Sequence, residues 1–257
     1  MTPGPLERDL RAKRDAGRKL LVPYVTGGYP GWQDAIRAAA ASGADAVEIG
    51  VPFSDPVMDG PVIQQASQAA LEDGATPTSV LDEVRRLDVE IPLVVMTYYN
   101  LVHHEGHRRF AHRLVEAGVS GCILPDLPLE ESEPWTRAAD HEGVETIMLA
   151  APTAPDERLP RVVARSRGFV YSVGLLGVTG ERASLAETAT DLAGRLKAIT
   201  DLPVLDGVGV SNAEQARQAT RVADCVIQGA SVVRRLMDGG PDAVGRYVAE
   251  VRSSIDA

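Results

Sequence analysis

The chain has 257 residues, enough for one large α/β domain or two small ones. It is 44% hydrophobic and 24% charged, which supports a sizeable core, and its net charge of -10 disfavours general binding to nucleic acid or to anionic membranes. No apolar run approaches the length of a membrane span, and the opening stretch "MTPGPLERDLRAKRDAGRKLLVPYV" mixes acids with bases before a short apolar run broken by Pro23, unlike a signal peptide. Cys122 and Cys225 sit in the strand-like runs "GCIL" and "DCVI" and read as buried, reduced thiols of a cytoplasmic protein.

Short β-rich runs alternate with longer amphipathic ones. In chain order the strand candidates are Leu20–Val25, Ala46–Ile49, Leu93–Thr97, Gly121–Leu124, Glu145–Leu149, Gly168–Val173, Pro203–Leu205 and Asp224–Ile227. Helical patterns such as "GWQDAIRAAAASG", "PTSVLDEVRRL", "HRRFAHRLVEAG", "SEPWTRAADHEG" and "NAEQARQATRVA" lie between them, and several end at a glycine (Gly43, Gly118, Gly143), as left-handed helix caps prefer. Alternating β and α implies a parallel sheet, and eight strands in this length fit an α/β fold consisting of a single (β/α)8 TIM barrel over residues 1–257, with an extra N-terminal helix. A doubly wound open sheet is the alternative.

In a barrel, catalytic groups belong at the C-terminal ends of the strands. Strand alternation turns Val47 and Ile49 toward the helices, and Ala46 and Glu48 toward the lumen. Burial raises a carboxyl pKa, and a carboxyl tuned upward exchanges protons near neutral pH. The competing reading is a glutamate held by a lumen lysine or arginine, but the other strand runs contain neither. The loop "PFSDPVMDGP" then offers Asp55 and Asp59, stiffened by Pro52, Pro56 and Pro61. Asp55 reads first as a polar turn residue. Asp59 reads equally as a placed acid or as a cap for the following helix.

Three glycine-containing loops follow late strands: "GLLGVTG", "DGVGVS" and "QGAS". Each alone is a tight turn. At consecutive strand ends they suggest a phosphate site, where glycine admits backbone N–H groups and a helix N-terminus favours the anion. A dinucleotide fingerprint would need glycine where Asn212 stands. "HHEGH" brings His103, His104 and His107 close, with His103 and His107 able to share one helix face, yet it is not H-E-x-x-H and points to a solvated helix rather than a metal site. Tyr98 and Asn100 of "MTYYN" could line the mouth, and Asp126 of "LPDLPLEE" reads as an orienting group or a turn former.

Taken together, "VEIGVPFSDPVMDGP", "VPYVTGGYP", "MTYYNLV", "LPDLPLEES", the run from Tyr171 to "GVTG", and "PVLDGVGVSNAEQA" resemble, in order and over nearly the whole chain, the tryptophan synthase α-subunit family. The resemblance implies a barrel that cleaves indole-3-glycerol phosphate to indole and glyceraldehyde 3-phosphate by retro-aldol chemistry, with no metal or organic cofactor in this chain. It implies a β-subunit partner that carries pyridoxal phosphate, in an α2β2 assembly. Carried over residue by residue, Glu48 matches the general acid–base and Asp59 the carboxylate that holds the indole N–H. Thr179 matches the residue that closes a loop over Asp59. Leu21, Tyr98, Ile123, Leu149 and Tyr171 match the pocket wall. Gly180, Gly209 and Gly229 match phosphate-binding positions, with Ala230 and Ser231 beside them. Asp55 and its prolines match the loop that meets the β subunit.

Three stretches depart from the family pattern. The usual Gly-Ser after the last strand is Gly229-Ala230-Ser231, which keeps an N–H at 230 but moves the hydroxyl to 231. A usual phenylalanine in the seventh loop is Val208, and a polar pair in the sixth is Gly174-Leu175-Leu176. A stand-alone lyase releasing free indole, a weakly active regulatory subunit and another phosphate-sugar isomerase barrel are the competing functions. The acidic signature argues against the last, and intact Glu48 and Asp59 argue against the regulatory subunit.

Overall fold

The computed structural model describes residues 2–173, 191–207 and 210–257. Eight parallel strands close into one barrel in sequence order: β1 (Leu20–Thr26), β2 (Val47–Gly50), β3 (Leu93–Met96), β4 (Gly121–Ile123), β5 (Glu145–Ala150), β6 (Val170–Ser172), β7 (Val204–Asp206) and β8 (Cys225–Gln228), with β8 returning to pair with β1. The expected strands are all present within a residue or two of their ends, and closure rules out the open sheet. On the outside lie α2 (Trp32–Ala41), α3 (Pro61–Glu72), α4 (Pro77–Val84), α5 (Tyr99–Glu105), α6 (His107–Glu116), α7 (Glu133–Glu142) and α8 (Leu159–Arg165). They are followed by helical residues 191–197, α9 (Ala213–Ala219) and a long C-terminal run, α10 (Ala230–Ile255), which bends at Gly240-Pro241 and packs against α2.

The period-two pattern divides the core as a barrel requires. Leu20, Val22, Ala46, Val94, Ile123, Ile147, Leu205 and Ile227 fill the lumen, while Leu21, Val25, Val47, Ile49, Val95 and Val226 pack against helices. Glycines 43, 118 and 143 do end helices with positive φ, at 97°, 78° and 89°.

The floor of the barrel is closed by the extra N-terminal helix, α1 (Pro5–Asp15), whose Leu6 and Leu10 are fully buried in the lumen cluster. Glu145, at the first position of β5, accepts the Leu6 and Glu7 N–H groups at 2.8 and 2.9 Å and so holds the start of α1. Just before β2, Asp45 accepts the Leu21 N–H at 2.9 Å and pairs with Arg18 and Arg252 at 2.7 and 3.1 Å. Just before β8, Asp224 accepts the Val204 N–H at 3.0 Å and is paired with Lys197. The strands' N-terminal ends are thus fastened by satisfied carboxylates, which leaves the opposite rim for chemistry.

Candidate active site

Glu48 sits in β2, two residues before its C-terminal end. It is 2% exposed, and its neighbours in the ladder are Tyr24 and Val94. Its Oε2 has no hydrogen-bond partner among the described residues. Burial, reinforced by the charge of Asp59, lifts its carboxyl to about 8. The lumen base that would have made this glutamate a structural ion pair is absent from all eight strands. The physics therefore keeps Glu48 protonated at neutral pH and ready to exchange that proton.

Asp59 reaches the same space from the loop after β2. The cap of α3 is Gly60, without a side-chain bond, so Asp59 is not spent on capping that helix. Its carboxyl is raised by burial and drawn back down by a hydrogen bond from Tyr98. The Tyr98 hydroxyl also accepts the Met58 N–H at 3.0 Å, and its ring stacks on Phe53 with centroids 5.0 Å apart. Tyr98 is thus packed and at the same time fixes the loop that carries Asp59. Behind it, Asp126 accepts the Tyr99 N–H at 2.9 and 3.1 Å and holds the first turn of α5, which resolves its role as an orienter. Asp55 is exposed and accepts the Ser54 hydroxyl at 2.5 Å.

Ile123, Leu149 and Tyr171 all border the lumen cluster, as a pocket wall requires. Glu48 is among the charges that press the buried Tyr171 hydroxyl upward, after burial itself. Gly207 is needed beside it, because a Cβ there would lie 2.3 Å from the Tyr171 ring. Leu21 does not belong to this wall. Alternation along β1 turns it outward into the layer between strands and helices, and its neighbours Leu20 and Val22 face the lumen instead.

Tyr24 was not singled out from sequence, although the same alternation marks it as an inward position of β1. It is the ladder partner of Glu48, and a Cβ at Gly50 would lie 1.8 Å from its hydroxyl. Its pKa is raised by burial and by Asp59 and Glu48, so it stays a neutral donor at the edge of the acidic pair.

Gly229 precedes the first turn of α10, whose leading N–H groups have no acceptor within the helix. Ala230 is exposed there. The Ser231 hydroxyl does not stand in for the one missing at 230. The side chain is 8% exposed and turns inward, where Oγ donates to the Val210 carbonyl at 3.2 Å. Its backbone N–H is what remains for an anion, and its hydroxyl joins the segment after β7 to the start of α10. Thr179, Gly180 and Gly209, with Val208 and Gly174-Leu175-Leu176, lie outside the described residues.

His103 and His107 do not share a helix, because Gly106 separates α5 from α6. The rings still meet, 6.0 Å apart, and His107 Nε2 lies 2.9 Å from the Tyr99 hydroxyl. Among the described residues no group of three or more histidine, cysteine or acidic side chains could hold a metal, and no helix is long and apolar enough to cross a membrane.

Comparison with known proteins agrees with this geometry. Residues 10–253 match the family model described as tryptophan synthase alpha chain. The chain is 45% identical to the tryptophan synthase alpha chain of Streptomyces coelicolor, covering 93% of this chain and 90% of that one. It is 43% identical to that of Thermobifida fusca, covering 98% of each. Among solved structures, Mycobacterium tuberculosis tryptophan synthase superposes with a TM-score of 0.92 at 37% identity over 100% of both chains. Tryptophan synthase subunit alpha of Legionella pneumophila does so with a TM-score of 0.90 at 31% identity, covering 99% of each.

Proposed function

The chain belongs to the tryptophan synthase alpha chain family, and from that premise we propose that it is a carbon–carbon lyase that cleaves indole-3-glycerol phosphate to indole and glyceraldehyde 3-phosphate. The observation that carries the reading is Glu48: buried, with an oxygen unpartnered among the described residues, lifted to about 8, and beside the charge of Asp59 at the C-terminal rim of the barrel. Burial raises both carboxyls, but only Asp59 has a donor, Tyr98, that favours its charged form, so the two suit opposite roles on one substrate.

Protonated Glu48 donates to the indole ring carbon that bears the glycerol chain, leaving a cationic ring nitrogen. Ionised Asp59 accepts a hydrogen bond from that N–H and stabilises the cation, with Tyr98 holding the Asp59 loop. The Glu48 carboxylate then takes the proton of the adjacent side-chain hydroxyl. The bond between ring and chain breaks, its electron pair restores the neutral indole, the hydroxyl carbon becomes the aldehyde, and Glu48 regains its proton. Ile123, Leu149 and Tyr171 enclose the aromatic body, and the phosphate meets the first amides of α10 at Gly229, Ala230 and Ser231. Thr179, Gly180 and Gly209 carry the roles that the family resemblance gives them.

The partner is a β subunit with pyridoxal phosphate, in an α2β2 assembly within the cytoplasm. The loop after β2 supports this: it holds Asp59 inward and presents Val57, 74% exposed, outward. Its two sides would let substrate and partner sense one another. The test is indole release from indole-3-glycerol phosphate by the purified chain, alone and with the β subunit of the same genome. Release in both conditions, faster with the partner, is the expected result. Release unaffected by the partner would favour a stand-alone lyase, and no release in either condition would overturn the assignment.

A further inference from the structure

Beside the amides assigned to the phosphate lies a buried polar cluster that the reaction does not use. Along β8, Cys225 and Ile227 belong to the lumen cluster and Val226 to the layer between strands and helices, so alternation turns Gln228 outward as well, beside the start of α10. Gln228 is 1% exposed, and neither its Oε1 nor its Nε2 has a hydrogen-bond partner among the described residues. Tyr247 is buried in the same outer layer, from the part of α10 beyond the bend at Gly240-Pro241. Arg235, from before the bend, lies over its ring with Cζ 4.6 Å from the centroid. Burial raises the Tyr247 pKa, and the Ser231 hydroxyl, the Arg235 charge and the Gln228 side chain draw it back, against the charge of Glu250. The Tyr247 hydroxyl thus meets both Ser231 and Gln228, although neither contact closes to full hydrogen-bond geometry. Ser231 extends the cluster, since its Oγ donates to the Val210 carbonyl at 3.2 Å.

The Gly229 carbonyl accepts the Val232 and Val233 N–H groups at 3.0 and 3.1 Å. Helical bonding starts there, which leaves the Ala230 and Ser231 amides for an anion. Where those amides point depends on what fixes Ser231. Polar atoms buried in an apolar layer are costly, and leucine and phenylalanine would fill the space of Gln228 and Tyr247 without that cost. We propose that Gln228 and Tyr247 are positioning residues for the phosphate end of the substrate: through Ser231 they set the first turn of α10, and through the Val210 carbonyl the segment after β7. This inference rests on the phosphate reading given above. Both side chains face the helix layer, so they act through Ser231 and not on the anion itself.

Calorimetry with glycerol 3-phosphate and steady-state kinetics on the full chain test this. Tyr247→Phe keeps the ring under Arg235 and loses only the hydroxyl, and Gln228→Leu keeps the bulk and loses both polar atoms. Each should weaken glycerol 3-phosphate and raise KM for indole-3-glycerol phosphate roughly two- to ten-fold, with kcat within about two-fold of the parent. In a Ser231→Ala background, Tyr247→Phe should have no further effect, because its path to the phosphate is already cut. Cleavage of indole-3-glycerol, which lacks the phosphate, should be the same in parent and variants. A parent that binds glycerol 3-phosphate, with both variants binding it equally well, would overturn the inference and leave the phosphate reading standing. An undiminished effect of Tyr247→Phe beside Ser231→Ala, or an equal loss on the phosphate-free substrate, would also overturn it, by showing a general loosening of the fold. A parent that does not bind glycerol 3-phosphate would overturn the phosphate reading and this inference with it.

Discussion

The two ends of this barrel use the same functional group in opposite ways. At the floor, Asp45, Asp224 and Glu145 are buried, and each accepts backbone N–H groups; Asp45 and Asp224 also meet cationic side chains. At the rim, Glu48 is just as buried, has an oxygen without a partner among the described residues, and faces a second acid. Burial alone therefore does not make a carboxyl reactive. What separates an anchor from a proton carrier is whether the protein supplies donors to the charged form. Glu145 shows the intermediate case: burial raises its pKa, and the Leu6 and Glu7 amides hold it back.

The comparison can be broken most severely at Glu48. Glu48→Gln keeps the shape and loses the exchangeable proton, so indole release should fall roughly 10²- to 10⁴-fold while substrate binding and folding persist. Steady-state kinetics within a few-fold of the parent would assign the proton transfer elsewhere. At the floor, the expected damage is to stability. Asp45→Ala leaves the Leu21 N–H unsatisfied and Arg252 with Asp256 alone, and should cost about 1–3 kcal/mol in denaturant unfolding. The pH profile of the surviving enzyme should not move, because no floor carboxylate takes part in the reaction.

A comparable effect is expected at the phosphate end. Ala230→Ser adds a hydroxyl at the exposed first position of α10 and should tighten glycerol 3-phosphate by about 1.5–3 kcal/mol, as a hydrogen bond to a charged acceptor does. Ser231→Ala should loosen it by about 0.5–1.5 kcal/mol, by freeing the Val210 carbonyl that it now holds. Calorimetry on both variants separates a hydroxyl offered to the ligand from one tied into the fold. Equal responses would contradict the inward orientation of Ser231.

Much of this was legible in the sequence because it depends on local pattern. Period-two alternation in "AVEIG" placed Glu48 in the lumen and Val47 and Ile49 outside it, and the structure agrees. The same rule, applied to β1, excludes Leu21 from the pocket and admits Tyr24, but family correspondence had put Leu21 there. The floor was not legible. Glu145 meets Leu6 across 139 residues, and Arg252 meets Asp45 across 207, separations over which no spacing rule operates. The direction of the Ser231 side chain likewise depends on a carbonyl 21 residues away. Gly106 was the readable sign that "HHEGH" spans two helices, since its φ of 96° ends α5 and turns the chain into α6.

The central claim is that Glu48 holds its proton because it is buried and its Oε2 has no donor among the described residues to favour the charged form. Folded, it keeps the proton up to about 8, whereas unfolded it would release it in the ordinary carboxyl range. Between those limits the folded state binds the extra proton, so this group's contribution to stability falls as pH rises through the window, and Glu48→Gln escapes that fall. The most direct measurement is the carboxyl carbon-13 titration of the glutamate-labelled chain, with the Glu48 signal identified by its loss in Glu48→Gln. The account predicts a midpoint near 8 and a stability advantage of the variant that grows with pH up to that midpoint. A midpoint in the ordinary range of exposed glutamates, with no pH-dependent advantage, would contradict it.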